Sequence, residues 1–451
     1  MTARQLAQIA TWLLLVAMAL ASGSSRAAGE LDPQFGDEGQ VTLARPVEFA
    51  AGNAQVGDVA TLADGRILWT MENGIGQLWI ARMLRNGQFD AGFGGTGRIE
   101  IEPCLAFRPA RLVAFEDGGA LVWAAGCLVR VRADGSIDTA FGSATNGPTS
   151  AFFAVDLVGD GAGRWLLAGT ENQIWRVYRF LADGNTDPTF ASNGVASVTP
   201  ATSNGTRTLH AMALRPDGRI VLTGSRGNLH GTNLVVAQLD ADGMPDSGFG
   251  ADGIIDLPAP QGYAGIVARA LVLDRDGSIL LGGEAHNGMH SCCVMFARFD
   301  AGGTPAPVAL RIFPLGANVG LSPFGETSMT LALLPHGKIL MARIAFPFVV
   351  TTRTRFTLVR MHDDGSLDES FDTQGWRSYV VSDPTQTGQS GPYSQLHGMV
   401  YANGEALLFG RTFFEDESIG VDYVTLMRTR FDALHADGFG LDAADGQVRR
   451  P

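Results

Sequence analysis

Short apolar runs along the chain are cut by turns at regular intervals, and one ordered set of turns returns roughly every 60 residues, the spacing of a structural repeat. In each copy an apolar run enters an Asp-Gly, Asn-Gly or related turn and leaves as a second apolar run. The turns centre on Asp64-Gly65, Asp117-Gly118, Asp160-Gly161, Asp217-Gly218, Asp276-Gly277, His336-Gly337 and Asn403-Gly404. Such dipeptides between alternating hydrophobics are a strong hairpin signal, because the turn needs a positive φ. A third apolar run follows, as in Val294–Phe299 or Thr357–Met361. Then comes a signature: an apolar residue, Asp, two variable residues, Phe-Gly, two more, Gly and a β-branched residue.

The fullest signatures run from Leu31-Asp32 through Phe35-Gly36 to Gly39 and Val41, and from Phe89-Asp90 through Phe93-Gly94 to Gly97 and Ile99. Variants lie at Asp138 with Phe141-Gly142, Asp187 with Phe190, Asp246 with Phe249-Gly250, Asp368 with Phe371, and Leu434 to Phe439-Gly440. One around Gly303 is eroded. Each copy predicts four antiparallel strands, A to D, and none shows the 3.6-residue apolar period of a helix. A lone four-stranded sheet cannot bury both faces, whereas copies packed radially bury them for one another. The expectation is an all-β chain forming a single seven-bladed β-propeller over residues 29–451. A β-solenoid or two smaller propellers would also use such copies, but no linker separates them. The signature occurs eight times and the A–B–C block seven times. One terminal D strand, Val41–Leu43 or Val448–Arg450, must therefore close the ring, and the N-terminal one is favoured.

These motifs resemble the delta-60 repeat family of secreted bacterial proteins, with Leu31–Val41 and Ala213–Val221 carrying the match best. The resemblance covers most of residues 30–448. It implies a repeat architecture and no activity, since that family is defined by its repeat.

Composition narrows the partners. Lys+Arg number 33 against 46 Asp+Glu, a net charge of −13, which argues against nucleic acid and against anionic lipid. Residues 1–28 read as a signal peptide: Arg4, an apolar run from Ile9 to Ala21 too short to span a bilayer, and small-residue cleavage sites after Ala21 or near Ala27-Ala28. The expected location is secreted or periplasmic, as a monomer.

In that compartment Cys104 and Cys127 are disulfide candidates, one in a D–A loop and the other opening strand C of the same blade. His286, His290, Cys292 and Cys293 fall within eight residues and offer ligands for Zn²⁺ or copper, with Met289 a further soft donor. Adjacent cysteines hinder each other as ligands, so a vicinal disulfide or a packed pair is the competing reading, and no cofactor is the default expectation. A separate polar ring emerges when the A strands are aligned on their turns: Asp58, Arg111, His210, Arg269 and His397. Lining the axis, it would suit an anionic or carbohydrate ligand or acid–base chemistry, or it could be a wet channel whose residues pair with one another.

The recurring signature Asp lacks the ligand density of a calcium loop and is expected to bond its own turn. Irregular loops at 44–55, 199–207, 285–293, 315–327, 345–353, 382–394 and 412–422 mark one face, with Phe346, Phe348, Phe413 and Phe414 in two of them. No complete catalytic motif is present. The reading is an extracytoplasmic binding or scaffold propeller presenting one loop face to a protein or glycan. A hydrolase or lyase using the axial ring, and a metal-binding protein using His286–Cys293, are the alternatives.

Overall fold

The structure, a computed structural model, describes residues 28–44, 55–72, 76–102, 104, 109–124, 126–142, 147–149, 151–200, 205–228, 231–288, 291–313, 329–345, 355–372, 374–381, 393–415 and 420–431. Among these, the strands form six sheets; in the eight-stranded one two antiparallel groups meet through a single parallel pair, Thr232 with Gly265, so seven consecutive antiparallel groups are distinguished as units. Unit 1 is Gln55–Thr61, Ile67–Glu72, Leu78–Met83 and Arg98–Glu100, and unit 2 is Arg111–Ala114, Ala120–Ala124 and Cys127–Val131. Unit 3 is Phe153–Gly159, Trp165–Glu171, Ile174–Phe180 and Val195–Val198; unit 4 is Thr206–Leu214, Ile220–Asn228, Gly231–Leu239 and Ile254–Leu257. Unit 5 is Gly265–Leu273, Ile279–His286, Ser291–Phe299 and Pro305–Phe313; unit 6 is Met329–Leu333, Ile339–Ala345, Arg355–Met361 and Trp376–Val380. Unit 7 joins Tyr393–Ala402, Glu405–Glu415 and Gly420–Arg430 to the N-terminal strand Gln40–Ala44.

The first strands of the units touch in cyclic order, unit 7 returning to unit 1, so the fold is a β-propeller with these strands around its axis. Closure uses the N-terminal strand as expected: Val41 lies opposite Leu426, and Glu30–Leu31 pairs with the same last strand. The competing strand at 448–450 lies outside the described residues.

The glycines of all seven Asp-Gly-type turns have positive φ, from +76° to +94°. Apolar side chains from neighbouring units interleave; Leu340, Phe356 and Leu358 of unit 6 share one cluster with Leu396, Leu408 and Met427 of unit 7.

The signature holds the units to one another. Each Asp accepts the amide two residues on, as from Gln34 to Asp32 at 3.1 Å or Gly92 to Asp90 at 3.0 Å, which is the turn role expected of it. In four copies the other oxygen takes an arginine from the third strand of its unit: Arg82 to Asp90 at 2.7 Å, Arg179 to Asp187 at 2.8 Å, Arg360 to Asp368 at 2.7 Å and Arg428 to Asp32 at 2.8 Å. These guanidinium groups stack over Phe93, Phe190, Phe371 and Phe35 at 4.5–4.9 Å. Three continue into the next unit, where Arg82 bonds the Gly118 carbonyl at 3.0 Å, Arg179 that of Ala241 at 2.8 Å and Arg428 that of Arg85 at 2.5 Å. In unit 4, Gln238 replaces the arginine. Arg215 bonds it at 2.8 Å and reaches the unit 5 carbonyls of Gly277 and Ala301 at 2.7 and 3.1 Å.

The fully buried signature phenylalanines wedge against glycines of the next unit. A Cβ on Gly243 would lie 2.6 Å from Phe190, and one on Gly303 2.7 Å from Phe249. Cys104 and Cys127 form a disulfide that ties the loop between units 1 and 2 to the third strand of unit 2.

Two expectations about loops change. The segment 412–422 is mostly strand: the hairpin of Glu405–Glu415 with Gly420–Arg430 pairs out to Glu415 and Gly420, so Phe413 and Phe414 belong to a ladder. The segment 285–293 likewise shortens, since His286 pairs with Ser291. Phe346 and Phe348, and most of 44–55, 315–327, 345–353 and 382–394, lie outside the described residues.

Candidate functional site

The axial residues owe their placement to a recurring break in the innermost ladder. In units 4, 5 and 7 the register of the first strand against the second slips between Leu209 and Ala211, Ala268 and Ala270, and Leu396 and Gly398. The skipped residues are His210, Arg269 and His397. Unit 1 slips across Gly57 and Asp58, and unit 3 across Val155. A β-bulge leaves one residue out of the ladder and re-aims its side chain. Asp58, His210, Arg269 and His397 are thus delivered by bulges, while Arg111 opens a regular strand opposite Trp123. All five line one central cavity of about 1980 Å³.

Three of the bulges are stitched to a neighbouring unit. Asp58 accepts the amide of Val59 at 2.8 Å and, across the unit boundary, that of Leu112 at 3.1 Å. Thr170 of unit 3 accepts the Leu209 amide of unit 4 at 2.9 Å, and Thr330 of unit 6 accepts that of Met399 at 3.3 Å.

His397 donates Nδ1–H to the Val56 carbonyl at 2.7 Å, which leaves Nε2 as an acceptor. His210 Nε2 meets Ser225 Oγ at 3.1 Å. Burial lowers both imidazoles, His210 to about 3 with help from the Arg269 charge, and His397 to about 4 with help from Arg411 and Arg111 against the Val56 hydrogen bond. Both rings are therefore neutral at physiological pH.

The two axial arginines differ. Arg269 is held through Nε and an Nη at 3.0 and 2.8 Å on the buried carboxylate of Glu284. Arg111 meets only carbonyls, those of Gly57 and Ala110, both at 3.4 Å, and its Nε is buried without a hydrogen-bond partner.

Of the proposed metal ligands, His290 lies outside the described residues. His286 ends the second strand of unit 5, its Nε2 3.9 Å from Glu284. Cys293 pairs with Ala285, and Cys292 falls in the register slip beside it. Both thiols are free. The Cys292 S–H donates to the Ala285 carbonyl at 3.3 Å, and burial with the adjacent Cys293 pushes this thiol up to about 12. Metal ligation needs the thiolate, which this setting disfavours. Among the described residues no three His, Cys, Asp or Glu side chains gather as a metal group.

Reading the residues alone missed the partners of the ring. The buried Glu284 sits at the end of a second strand, and only a register that places Val267 opposite it brings Arg269 within reach. It also missed Phe153, Asn172 and Gln173, which line the same cavity.

A family model described as "Domain of unknown function (DUF5122) beta-propeller" matches residues 163–190 and 215–249, parts of units 3 and 4 with the turns that follow. No curated protein sequence matches the chain. Among solved structures, the polysaccharide lyase Uly1 aligns over 85% of this chain and 90% of its own at 12% identity, with a TM-score of 0.48. A gluconolactonase from Xanthomonas campestris, XC5397, aligns over 89% and 97% at 10% identity and a TM-score of 0.38. Prolyl oligopeptidase B from Galerina marginata, as the apo protein, aligns over 80% and 47% at 9% identity and a TM-score of 0.39. Identities and scores of this size carry no activity across to this chain.

Proposed function

We propose that this chain is an exported, seven-bladed binding propeller that takes a saccharide into its central cavity, rather than an enzyme acting there. The observation that carries the reading is the bulged axial ring. It presents hydrogen-bonding groups to one large cavity while its two histidines are held neutral. A general acid must hold a proton near its working pH, and imidazoles lowered to about 3 and 4 have none to give at pH 7. Neutral imidazoles, an arginine and a carboxylate around a concave space suit the hydroxyl-rich surface of a sugar. Export rests on the N-terminal pattern, and the Cys104–Cys127 disulfide is consistent with an oxidising compartment.

Calorimetry of the purified protein against a panel of neutral and acidic oligosaccharides, with product analysis of the same mixtures, tests the reading. Saturable binding without new products is expected. Turnover that disappears in His397→Ala would overturn it in favour of axial catalysis, and an absence of binding across the panel would end it.

A further inference from the structure

Two free thiols stand side by side on the third strand of unit 5, and the cavity reading gives them no role. We propose that Cys292 and Cys293 form a reversible redox site, closing into a vicinal disulfide by exchange with a small disulfide such as oxidised glutathione and reopening under mild reduction.

In a regular strand adjacent side chains point to opposite faces, which would hold the two sulfurs apart. Here the ladder slips. Cys293 lies opposite Ala285 and Ser291 opposite His286, so Cys292 is the extra residue of a bulge. A bulge frees one residue from the ladder and re-aims its side chain. The Cys292 thiol donates to the Ala285 carbonyl at 3.3 Å, and Cys293 packs on the core cluster that contains Ala285. The two side chains meet there, and Cys293 acts on the Cys292 thiol directly, through a hydrogen bond and its charge. Each residue is only half-buried, so a small oxidant can reach the pair.

Reversibility follows from the spacing. Successive Cα atoms are about 3.8 Å apart across a trans peptide, below the roughly 4.4–6.8 Å that an ordinary disulfide spans. Cys104 and Cys127 lie 5.6 Å apart, inside that range, and Cys104 is buried. A bridge between neighbours is strained, and strained or exposed disulfides are the ones that thiols reopen. The chain thus carries one bridge suited to last and one dithiol suited to exchange. The bulge takes up the distortion, because Cys292 is not paired in the ladder.

The exchange has two steps. One cysteine thiolate attacks a sulfur of the oxidant, forming a mixed disulfide and releasing the oxidant's other sulfur as a thiol. The neighbouring cysteine then attacks its partner's sulfur in that mixed disulfide. The new S–S bond forms as the second oxidant sulfur leaves. The two cysteines are oxidised by two electrons, and their two protons end on the two thiols made from the oxidant. Burial and the adjacent Cys293 hold the Cys292 proton in place, so the pair rests as a dithiol and exchange quickens as the pH rises.

The test takes the full protein, with the Cys104–Cys127 bridge intact, into oxidised glutathione above neutral pH. Intact mass, thiol titration and peptide mapping follow the product. Both free thiols should disappear, the mass should fall by two hydrogens, and one peptide should carry the Cys292–Cys293 bridge. Reduced glutathione should restore both thiols while Cys104–Cys127 persists. Cys292→Ser and Cys293→Ser should each stop at a glutathione adduct on the remaining thiol, since the second step has lost its nucleophile. Lasting adducts on the unaltered protein, chains linked through these cysteines, or thiols that survive the oxidant would each overturn the proposal. Loss of the Cys104–Cys127 bridge before the vicinal one would overturn its reversibility. The bridge is read on the unaltered protein, so a variant that fails to fold does not shield the proposal.

Discussion

The turn face and the cavity wall are built from the same repeat, yet they use polar residues in opposite ways. On the turn face the signature carboxylates Asp32, Asp90, Asp187, Asp246 and Asp368 each spend both oxygens inside the framework, one on its own turn and one on an arginine or its glutamine substitute. Three of those arginines, Arg82, Arg179 and Arg428, then grip the next unit. On the cavity wall the repeat is broken by bulges, and the residues that fall in the breaks differ from unit to unit. Regularity there would align identical side chains around the axis. Slipped registers instead place an aspartate, two histidines and an arginine on one cavity. Where a charge is fully paired and its neighbours repeat it, the residue holds the ring together. Where the ladder slips and the partners differ, the surface is free to recognise something.

The largest test of this contrast is at ring closure. Asp32 is fully buried and is held by Arg428 and Arg430, which tie the N-terminal segment to the last strand. Arg428→Ala strands a buried carboxylate and opens the seam, so a loss of about 3–5 kcal/mol is expected. The exposed version of the same pair, Arg132 with Asp138, should cost under about 1 kcal/mol when Arg132 becomes alanine. Urea unfolding of the two variants checks both values; equal losses would erase the distinction between a latch and a surface pair.

Next comes the disulfide of Cys104 with Cys127. Replacing Cys104 and Cys127 together by serine should cost about 3 kcal/mol in the chain-entropy picture, and it should make the melting temperature insensitive to reductant. A reductant effect that persists in that variant would have to come from Cys292 and Cys293. A smaller loss, about 1–3 kcal/mol, is expected for Gly243→Ala, which adds a Cβ at φ +84° and 2.6 Å from Phe190. Gly288→Ala, also at positive φ but with open space around it, separates the backbone cost from the wedge.

Much of this contrast was legible in the chain itself. The turns, the signature and the excess of one signature over the A–B–C block are local patterns, and they led to the ring, its N-terminal closure and the five axial residues. The Cys104–Cys127 pair followed from the strand order. The arginine latch was also written there, eight residues before Asp90, Asp187 and Asp368, but it carries no meaning until the fold brings the pair together. The bulges left no comparable sign. His210 and Arg269 sit in ordinary apolar runs, and the slip at His210 uses an amide that Thr170 of the adjoining unit satisfies. The His286–Cys293 cluster was read from residue types alone, and types do not report that Cys292 is a half-buried thiol whose setting beside Cys293 disfavours the thiolate.

The finest test separates the two regions by pH. His210 and His397 stay neutral in the folded protein down to about 3 and 4, whereas the unfolded chain protonates them near 6.5. Between those limits the unfolded state binds more protons, so the imidazoles' contribution is complete above pH 6.5 and is lost as the pH falls toward 4. His286, lowered by burial, acts in the same direction. Because both axial rings are partly open to the cavity, about 1 kcal/mol each is expected. The latch carboxylates behave differently: arginine pairing and hydrogen bonds outweigh burial to hold Asp32, Asp187 and Asp368 below their ordinary value, so their contribution declines only below about pH 4. Urea stability measured from pH 7 to 3 should therefore fall in two stages, cavity first and latches second. The His210→Gln, His397→Gln double variant should flatten the first stage and leave the second in place. An unchanged first stage would move the titration away from the cavity.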